Sequence, residues 1–366
     1  MKRYYVHVIT NFTETGGAEL MMIRAINASS KECGHIIVSL MDISDSMKSR
    51  LTRPVEFHAL GASSAFDLIK AAFKLSQFTK KRRIAIKALY SWMYHANFVA
   101  AVSHVIGRKN FPLVWGVRHS LDDLSGEKLS TKLAIYGGKL LSQIPSHIVN
   151  CSRKSMEQHI EFGYGSEPQS VHIPNGYSFN SAVERHFDPT KLVFGAAGRF
   201  HDAKDYKMLF KSVAPILAEN PAFRIKAAGR DISFDNEELV GYLDEYNINY
   251  QQVELLGQIS DMESFYNSVD FFILSSKTEG FPNVLAESSA YGCISFSTRV
   301  GDAPIIIDST RIVEVQDDIS MTTLLQKFIE KSPVELKEIS NSSSDYVRTN
   351  FEISCIANKL FSLGKA

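Results

Sequence analysis

Two cations and two carboxylates dominate the chemistry available to this 366-residue chain. Arg199 and Lys204 stand five positions apart in Gly198-Arg199-Phe200-His201-Asp202-Ala203-Lys204, directly after an apolar run. A fixed guanidinium fork and a flexible ammonium on one loop suit a diphosphate. Glu279 and Glu287 have seven residues between them in the segment Ser275 to Glu287. Glu279 falls on a loop shaped by Gly280 and Pro282, and Glu287 falls one turn into the helix that follows. Carboxylates so placed can bond sugar and ribose hydroxyls, while the N–H groups of Asn283, Val284 and Leu285 at the helix start hold a phosphate. The spacing is unusual for the paired acid and base of a hydrolase. Gly16 and Gly17, in Gly16-Gly17-Ala18-Glu19, likewise open a helix after a strand and let the backbone approach an anion. The run Gly195-Ala196-Ala197-Gly198 lacks the G-x-G-x-x-G spacing, which argues against a dinucleotide cofactor.

The elements that must carry these residues alternate. Val6 to Thr10 reads as a buried strand and Ala18 to Asn27 as a helix. Ile36 to Leu40, Ala88 to Tyr90 and Leu113 to Val117 read as further strands, with helices over Phe66 to Phe78 and Tyr94 to Ile106. A second series has strands at Leu192 to Ala196, Phe223 to Ala228, Val253 to Leu256 and Phe271 to Leu274. Its helices are Tyr206 to Glu219, Asn236 to Tyr246, Met262 to Ser268 and Asn283 to Tyr291. Such alternation predicts an α/β chain of two doubly wound, Rossmann-like domains with parallel sheets, facing each other across a cleft. The turn chemistry of Ile173 to Ser181 marks the boundary, giving domains 1–178 and 179–349, with a crossover helix over 350–366 returning to the first. The only low-complexity tract is Asn341 to Ser344.

Composition narrows the class. A chain 45% hydrophobic and 22% charged, with 21 Gly and 11 Pro, is globular rather than disordered or coiled-coil. It has no run of 18 apolar residues and no cleavage signature near its start, so neither a membrane span nor a signal peptide is expected. Cys33, Cys151, Cys293 and Cys355 are 118, 142 and 62 positions apart, too far for a local metal or redox pair, and read as reduced and cytoplasmic. The net charge of zero hides a division, +9 over residues 1–180 and −9 over the rest. The basic half is suited to an anionic substrate or surface.

In chain order, Gly16-Gly17-Ala18-Glu19, Ile173-Pro174-Asn175-Gly176, Gly198-Arg199 with Lys204, and the Glu279-to-Glu287 segment followed by Ala290-Tyr291-Gly292 resemble the retaining glycosyltransferases of family 4, which have the GT-B fold. The resemblance spans most of the chain, and its last two motifs are the specific ones. It implies transfer of a sugar from a nucleotide diphosphate donor, UDP favoured, to a glycan or lipid-linked acceptor, with retention at the anomeric carbon. Arg199 and Lys204 would neutralise the diphosphate, Glu287 would hold the ribose, and Glu279 would contact the donor sugar. The donor would also meet Gly280, Phe281, Pro282, Asn283, Val284 and Leu285, while Gly16 and Gly17 close over the phosphates. Arg230, in Gly229-Arg230-Asp231, stands where base contacts are expected. On the acceptor side, the strand ending at Val117 is followed by Arg118 and His119. Either of them takes the position where the family often has a histidine, and nearby Asp122 and Asp123 are acceptor contacts or a solvated turn. The chain departs from the family in having Asp205, where glycine commonly follows the lysine, and in lacking the usual acid near Tyr177 and Ser178. No D-x-D occurs, and the family normally works without a metal, so neither metal nor cofactor is expected.

Lys70, Lys74, Lys80, Lys81, Arg82, Arg83 and Lys87 cluster around Ile69, Phe73, Leu75 and Phe78, a pattern compatible with peripheral binding to the anionic inner face of the cytoplasmic membrane. Nucleic acid is not an expected partner, since the chain carries no net charge and no recognition motif. The competing readings are a sugar-nucleotide-binding protein without turnover and a sugar-nucleotide 2-epimerase of the same fold.

Overall fold

The computed structural model describes residues 3–64, 67–82, 85–108, 110–121, 124, 128–179 and 184–364. The chain divides into two units, residues 1–178 with 352–366, and residues 179–351. Phe66, Arg83, Asp122 and Asp123 lie outside the described residues.

Unit 1 is a seven-stranded parallel sheet built from β1 (Tyr4–Ile9), β2 (Gly34–Ser39), β3 (Val55–Ala59), β4 (Ile86–Trp92), β5 (Leu113–Val117), β6 (His147–Asn150) and β7 (Ser170–His172), in the order β3-β2-β1-β4-β5-β6-β7. Strand alternation sends Val6 and Val8 of β1 to one core, beneath helices Asp67–Lys81, Tyr94–Gly107 and Leu129–Leu141. It sends Tyr5 and Ile9 to the other, beneath helices Gly17–Ala28 and Ile353–Ser362. Both faces are therefore covered, as parallel sheets require. Helix Ile353–Ser362 buries Ile356, Ala357, Leu360 and Phe361, and Phe361 stacks on Tyr5 with ring centroids 4.9 Å apart. Asn350 and Phe351 fall in unit 2.

Unit 2 is a six-stranded parallel sheet made of β8 (Val193–Ala197), β9 (Arg224–Ala228), β10 (Val253–Leu255), β11 (Phe271–Leu274), β12 (Ile294–Thr298) and β13 (Ile312–Val313), in the order β10-β9-β8-β11-β12-β13. Strand order reverses between β1 and β4 in one unit and between β8 and β11 in the other. These are the switch points outside whose carboxyl ends open α/β sheets bind ligands.

The serine-rich tract at 341–344 is not a linker. It lies inside helix Pro333–Asn350, whose first turn carries a capping box between Ser332 and Glu335. Ser340 Oγ donates to Gly292 O at 2.6 Å and Ser344 Oγ donates to Ala290 O at 2.8 Å. Small hydroxyl side chains let this helix approach the end of helix Asn283–Ala290 and satisfy its last carbonyls.

Candidate functional site

In unit 2 the loops at the carboxyl ends of the strands are sewn together by backbone bonds. Gly198 N–H donates to Ala228 O, Phe200 N–H to Arg230 O, Lys277 N–H to Ala203 O and Asp302 N–H to Gly280 O, all within 3.0 Å. Two glycines make the approach possible. A Cβ on Gly229 would lie 1.9 Å from the Gly198 carbonyl oxygen, and one on Gly301 would lie 2.0 Å from that of Gly280. Gly229 thus seats the Arg199 loop and Gly301 the Glu279 loop.

On this frame Lys204 Nζ sits 2.5 Å from Glu279 Oε1, which also accepts from Ser276 Oγ at 2.8 Å. Ser275 Oγ donates to the Lys204 carbonyl at 2.9 Å. The two residues predicted to meet the phosphate and the sugar are therefore in direct contact, and both are partly open to solvent. Arg199 is exposed and has no side-chain partner among the described residues, so its five donors are available.

Asp205 adopts φ +46°, ψ 57°, and its carboxylate accepts from Met208 N–H at the start of helix Tyr206–Glu219. The left-handed backbone explains why glycine suits this position. Aspartate, one of the few other residues that tolerates it, adds an N-cap.

Helix Asn283–Ala290 begins after Pro282, which has no side chain to accept from the first turn. Phe281 and Leu285 are buried, so they shape the loop and anchor the helix. Leu285 N–H is taken by Pro282 O at 3.1 Å. Glu287 Oε2 accepts from the buried Tyr266 hydroxyl at 3.0 Å, which fixes the carboxylate one turn into the helix. Arg230 is exposed at the end of the β9 loop.

In unit 1, Gly16 caps helix Gly17–Ala28 without a side-chain bond, and both glycines are exposed. Glu19 folds back over this terminus, its carboxylate beside Gly16. Burial outweighs the pull of the nearby backbone N–H groups and raises its pKa. Arg118 follows β5. Its Nη1 donates to Asn175 Oδ1 at 2.9 Å and Ile173 O at 3.3 Å, and its guanidinium lies 5.6 Å from the Trp92 ring centroid. His119 is exposed, and its carbonyl accepts from Ser155 Oγ at 2.7 Å.

Ser276, Tyr266, Gly301, Trp92 and Asn175 were not identified from the sequence as parts of the site. Ser276 and Asn175 lie inside quoted motifs. Tyr266 lies in the helix read over Met262 to Ser268, Trp92 lies just past the strand read at Ala88 to Tyr90, and Gly301 follows a strand too polar to be recognised. Among the described residues no group of three His, Cys, Asp or Glu side chains could hold a metal ion.

The basic surface is redistributed. Leu75 is buried under helix Asp67–Lys81 and Phe78 packs on the core, leaving Ile69 and Phe73 exposed. Lys87 belongs to β4, with its ammonium 3.6 Å from Cys33 Sγ. Helix Leu129–Leu141 exposes Leu129, Leu133, Tyr136 and Leu140, the last 85% exposed, between Lys132 and Lys139. No helix among the described residues is long and apolar enough to cross a membrane.

Residues 191–331 match the family model of glycosyl transferases group 1. Arg199, Lys204, Glu279 and Glu287 all fall inside that stretch. The two units have the GT-B architecture. An Anabaena protein, HepE, solved with UDP and glucose, shares 17% identity with TM-score 0.76 over 98% of each chain. The lipopolysaccharide outer core galactosyltransferase WaaB shares 16% identity with TM-score 0.77, over 98% of this chain and 99% of its own. A Rickettsia africae glycosyltransferase shares 14% identity with TM-score 0.78, over 100% of this chain and 98% of its own. No curated protein matches the chain by sequence.

Proposed function

We propose that the protein is a retaining, metal-independent glycosyltransferase that moves a sugar from a nucleotide diphosphate donor, UDP favoured, to a glycan or lipid-linked saccharide. The observation that carries this reading is the Lys204–Glu279 pair beside the uncapped start of helix Asn283–Ala290, with Glu287 held by Tyr266. The match over residues 191–331, and neighbours whose names give UDP and a sugar, support it.

In this reading unit 2 holds the donor. Arg199 and Lys204 meet the diphosphate, the N–H groups of Asn283 and Val284 take its far phosphate, Glu287 bonds the ribose and Arg230 borders the base. Glu279 contacts the sugar. The bond from the anomeric carbon to the phosphate oxygen breaks with both electrons leaving on the nucleotide. The acceptor oxygen bonds the same carbon, and the hydroxyl proton is given up to the departing phosphate or to solvent. Negative charge develops on the diphosphate, so fixed cations there lower the barrier most. Unit 1 takes the acceptor, with Arg118 or His119 at the acceptor.

A second observation supports a partner. Helix Leu129–Leu141 exposes Leu129, Leu133, Tyr136 and Leu140 beside Lys132 and Lys139, and helix Asp67–Lys81 exposes Ile69 and Phe73 beside Lys70 and Lys74. Such surfaces fit the anionic face of a bilayer, where lysines meet headgroups and the apolar side chains enter the acyl boundary.

Incubation with a panel of UDP- and GDP-sugars tests the activity. Free nucleotide diphosphate formed only when acceptor is present is the expected result. An isomerised donor would replace this reading with epimerisation, and binding without either product would replace it with sensing. Flotation with anionic vesicles should recover the protein, and Leu133→Glu with Leu140→Glu should abolish recovery. No salt-sensitive binding by the unaltered chain would overturn the membrane assignment.

A further inference from the structure

Arg118 is a cation the fold leaves half satisfied. Nη1 is tied to Asn175 and Ile173, but Nε and Nη2 are closed off from solvent and have no hydrogen-bond partner among the described residues. These two nitrogens form one edge of the planar guanidinium, with their N–H bonds pointing the same way. That edge matches two oxygens of a carboxylate or phosphate. Among the described residues no carboxylate pairs with it, and the ionisable groups whose fields favour its charge are the Cys151 thiol and the Tyr177 phenol. A buried cation without a counter-charge is costly, so its retention in a fixed orientation calls for a use.

Its place in the fold supplies one. Arg118 follows β5 and covers Trp92 at the end of β4, beside the switch point between β1 and β4. Met93, next along, has φ +73° and ψ 166°, a strained backbone for a residue with a side chain. Asn175 and Ile173 hold the guanidinium by its far nitrogen, so the fork is oriented before any ligand arrives.

We propose that unit 1 binds a ligand carrying an oxyanion, gripped by the Nε and Nη2 edge of Arg118. Resting on the transferase reading, this makes the acceptor an acidic one, either a saccharide with a carboxylate or a sugar phosphate.

The test uses the full chain labelled with ¹⁵N at arginine Nε, titrated with inorganic phosphate, with glucuronate, and with glucose as the neutral control. The Arg118 resonance is the one missing from both Arg118→Lys and Arg118→Gln, whose remaining spectra report that the fold is kept. It should shift saturably with phosphate or glucuronate and stay still with glucose. Whichever anion binds at least tenfold more tightly identifies the source of the oxyanion. In acceptor-dependent transfer, Arg118→Lys should raise KM for the acidic acceptor at least tenfold and leave KM for the donor unchanged. An Arg118 resonance that ignores both anions overturns the proposal, as does anion binding of equal strength in the two variants. UDP affinity measured on the same samples separates the two ideas. Loss of UDP binding with the Arg118 response intact would sink the transferase reading alone, whereas a silent Arg118 beside normal UDP binding would sink this one alone.

Discussion

At the residue scale, Lys204 and Glu279 already neutralise one another in the ligand-free protein, so a diphosphate must compete with the carboxylate for the ammonium. The pair is part-exposed and contributes about 1 kcal/mol or less, a small barrier to that exchange. Glu279→Gln should therefore bind UDP as tightly as the unaltered chain or more so, yet transfer sugar more slowly. Calorimetry and turnover on one preparation check both halves, and weaker UDP binding would contradict the assignment. Arg199→Ala and Lys204→Ala should each lower kcat/KM by roughly 10²–10³-fold, about 3–4 kcal/mol of transition-state stabilisation, with little change in melting temperature. The candidate ligands and their order were legible because phosphate and sugar chemistry demands particular side chains. What holds them was not, because close backbone approach leaves no chemical signature. Asp205 shows the difference, since it departs from the family pattern in sequence yet meets the same left-handed backbone requirement in structure. Asp205→Gly should be nearly neutral, relieving the backbone while losing the cap. Asp205→Ala, which keeps the unfavourable φ and loses the cap, should cost about 1–3 kcal/mol in chemical denaturation.

Among the elements, the strands and helices read from the sequence lie within three residues of those observed, as at Leu113–Val117 and Tyr206–Glu219, but helices Leu129–Leu141, Arg153–Phe162, Asp318–Ile329 and Pro333–Asn350 escaped notice. The strands that escaped notice are β3, β6, β7, β12 and β13. β12, Ile-Ser-Phe-Ser-Thr, is fully buried although three of its five residues are polar, because Ser295 bonds to the Ser288 and Ser289 hydroxyls and Thr298 to the Ser276 carbonyl. Local satisfaction of hydroxyls hides such a strand from any reading based on hydrophobicity. Strands β1 and β2 hold a second buried polar line. Trp92 Nε1 donates to His7 Nδ1, which leaves His7 Nε2 to donate to His35 Nδ1 at 3.0 Å and His35 Nε2 to donate to Ser29 Oγ at 2.7 Å. The order works only with both rings neutral, and burial pushes the His7 pKa well below the usual histidine value. His159, buried against Tyr94, is lowered to about 4 by the same cause. Histidines with depressed folded-state values stabilise the fold fully above the unfolded value near 6.5, and that contribution is lost as pH falls from there toward 4. For His159 alone the loss is about 3 kcal/mol. Calorimetry between pH 7.5 and 4.5 should show the melting temperature of unit 1 falling from pH 6.5 downward, and a flat profile would contradict the neutral relay.

For the whole molecule, a doubly wound architecture in two units followed from the alternation of strands and helices. Coverage of unit 1 by the final helix rests on a long-range contact. Ile353 N–H donates to Tyr177 O at 2.8 Å, and the helix then buries Ile356, Leu360 and Phe361 on a sheet whose strands all precede the second unit. Three large apolar side chains contribute about 6 kcal/mol of burial, comparable to the whole stability of a domain. Truncation after Phe351 should therefore unfold unit 1 or leave it prone to aggregation, while residues 179–351 expressed alone should melt cooperatively. Circular dichroism and denaturant titration of the two fragments would distinguish these outcomes.

Such a discontinuous unit also sets an order of events on the ribosome. The second unit is contiguous, whereas the first, although its strands are translated earlier, must wait as an incomplete nascent sheet until residues 353–362, made after the whole second unit, can cover it. The half of the protein made first is the half completed last, and through that interval the aromatic face around Tyr5 and Tyr90 is the surface most in need of a chaperone.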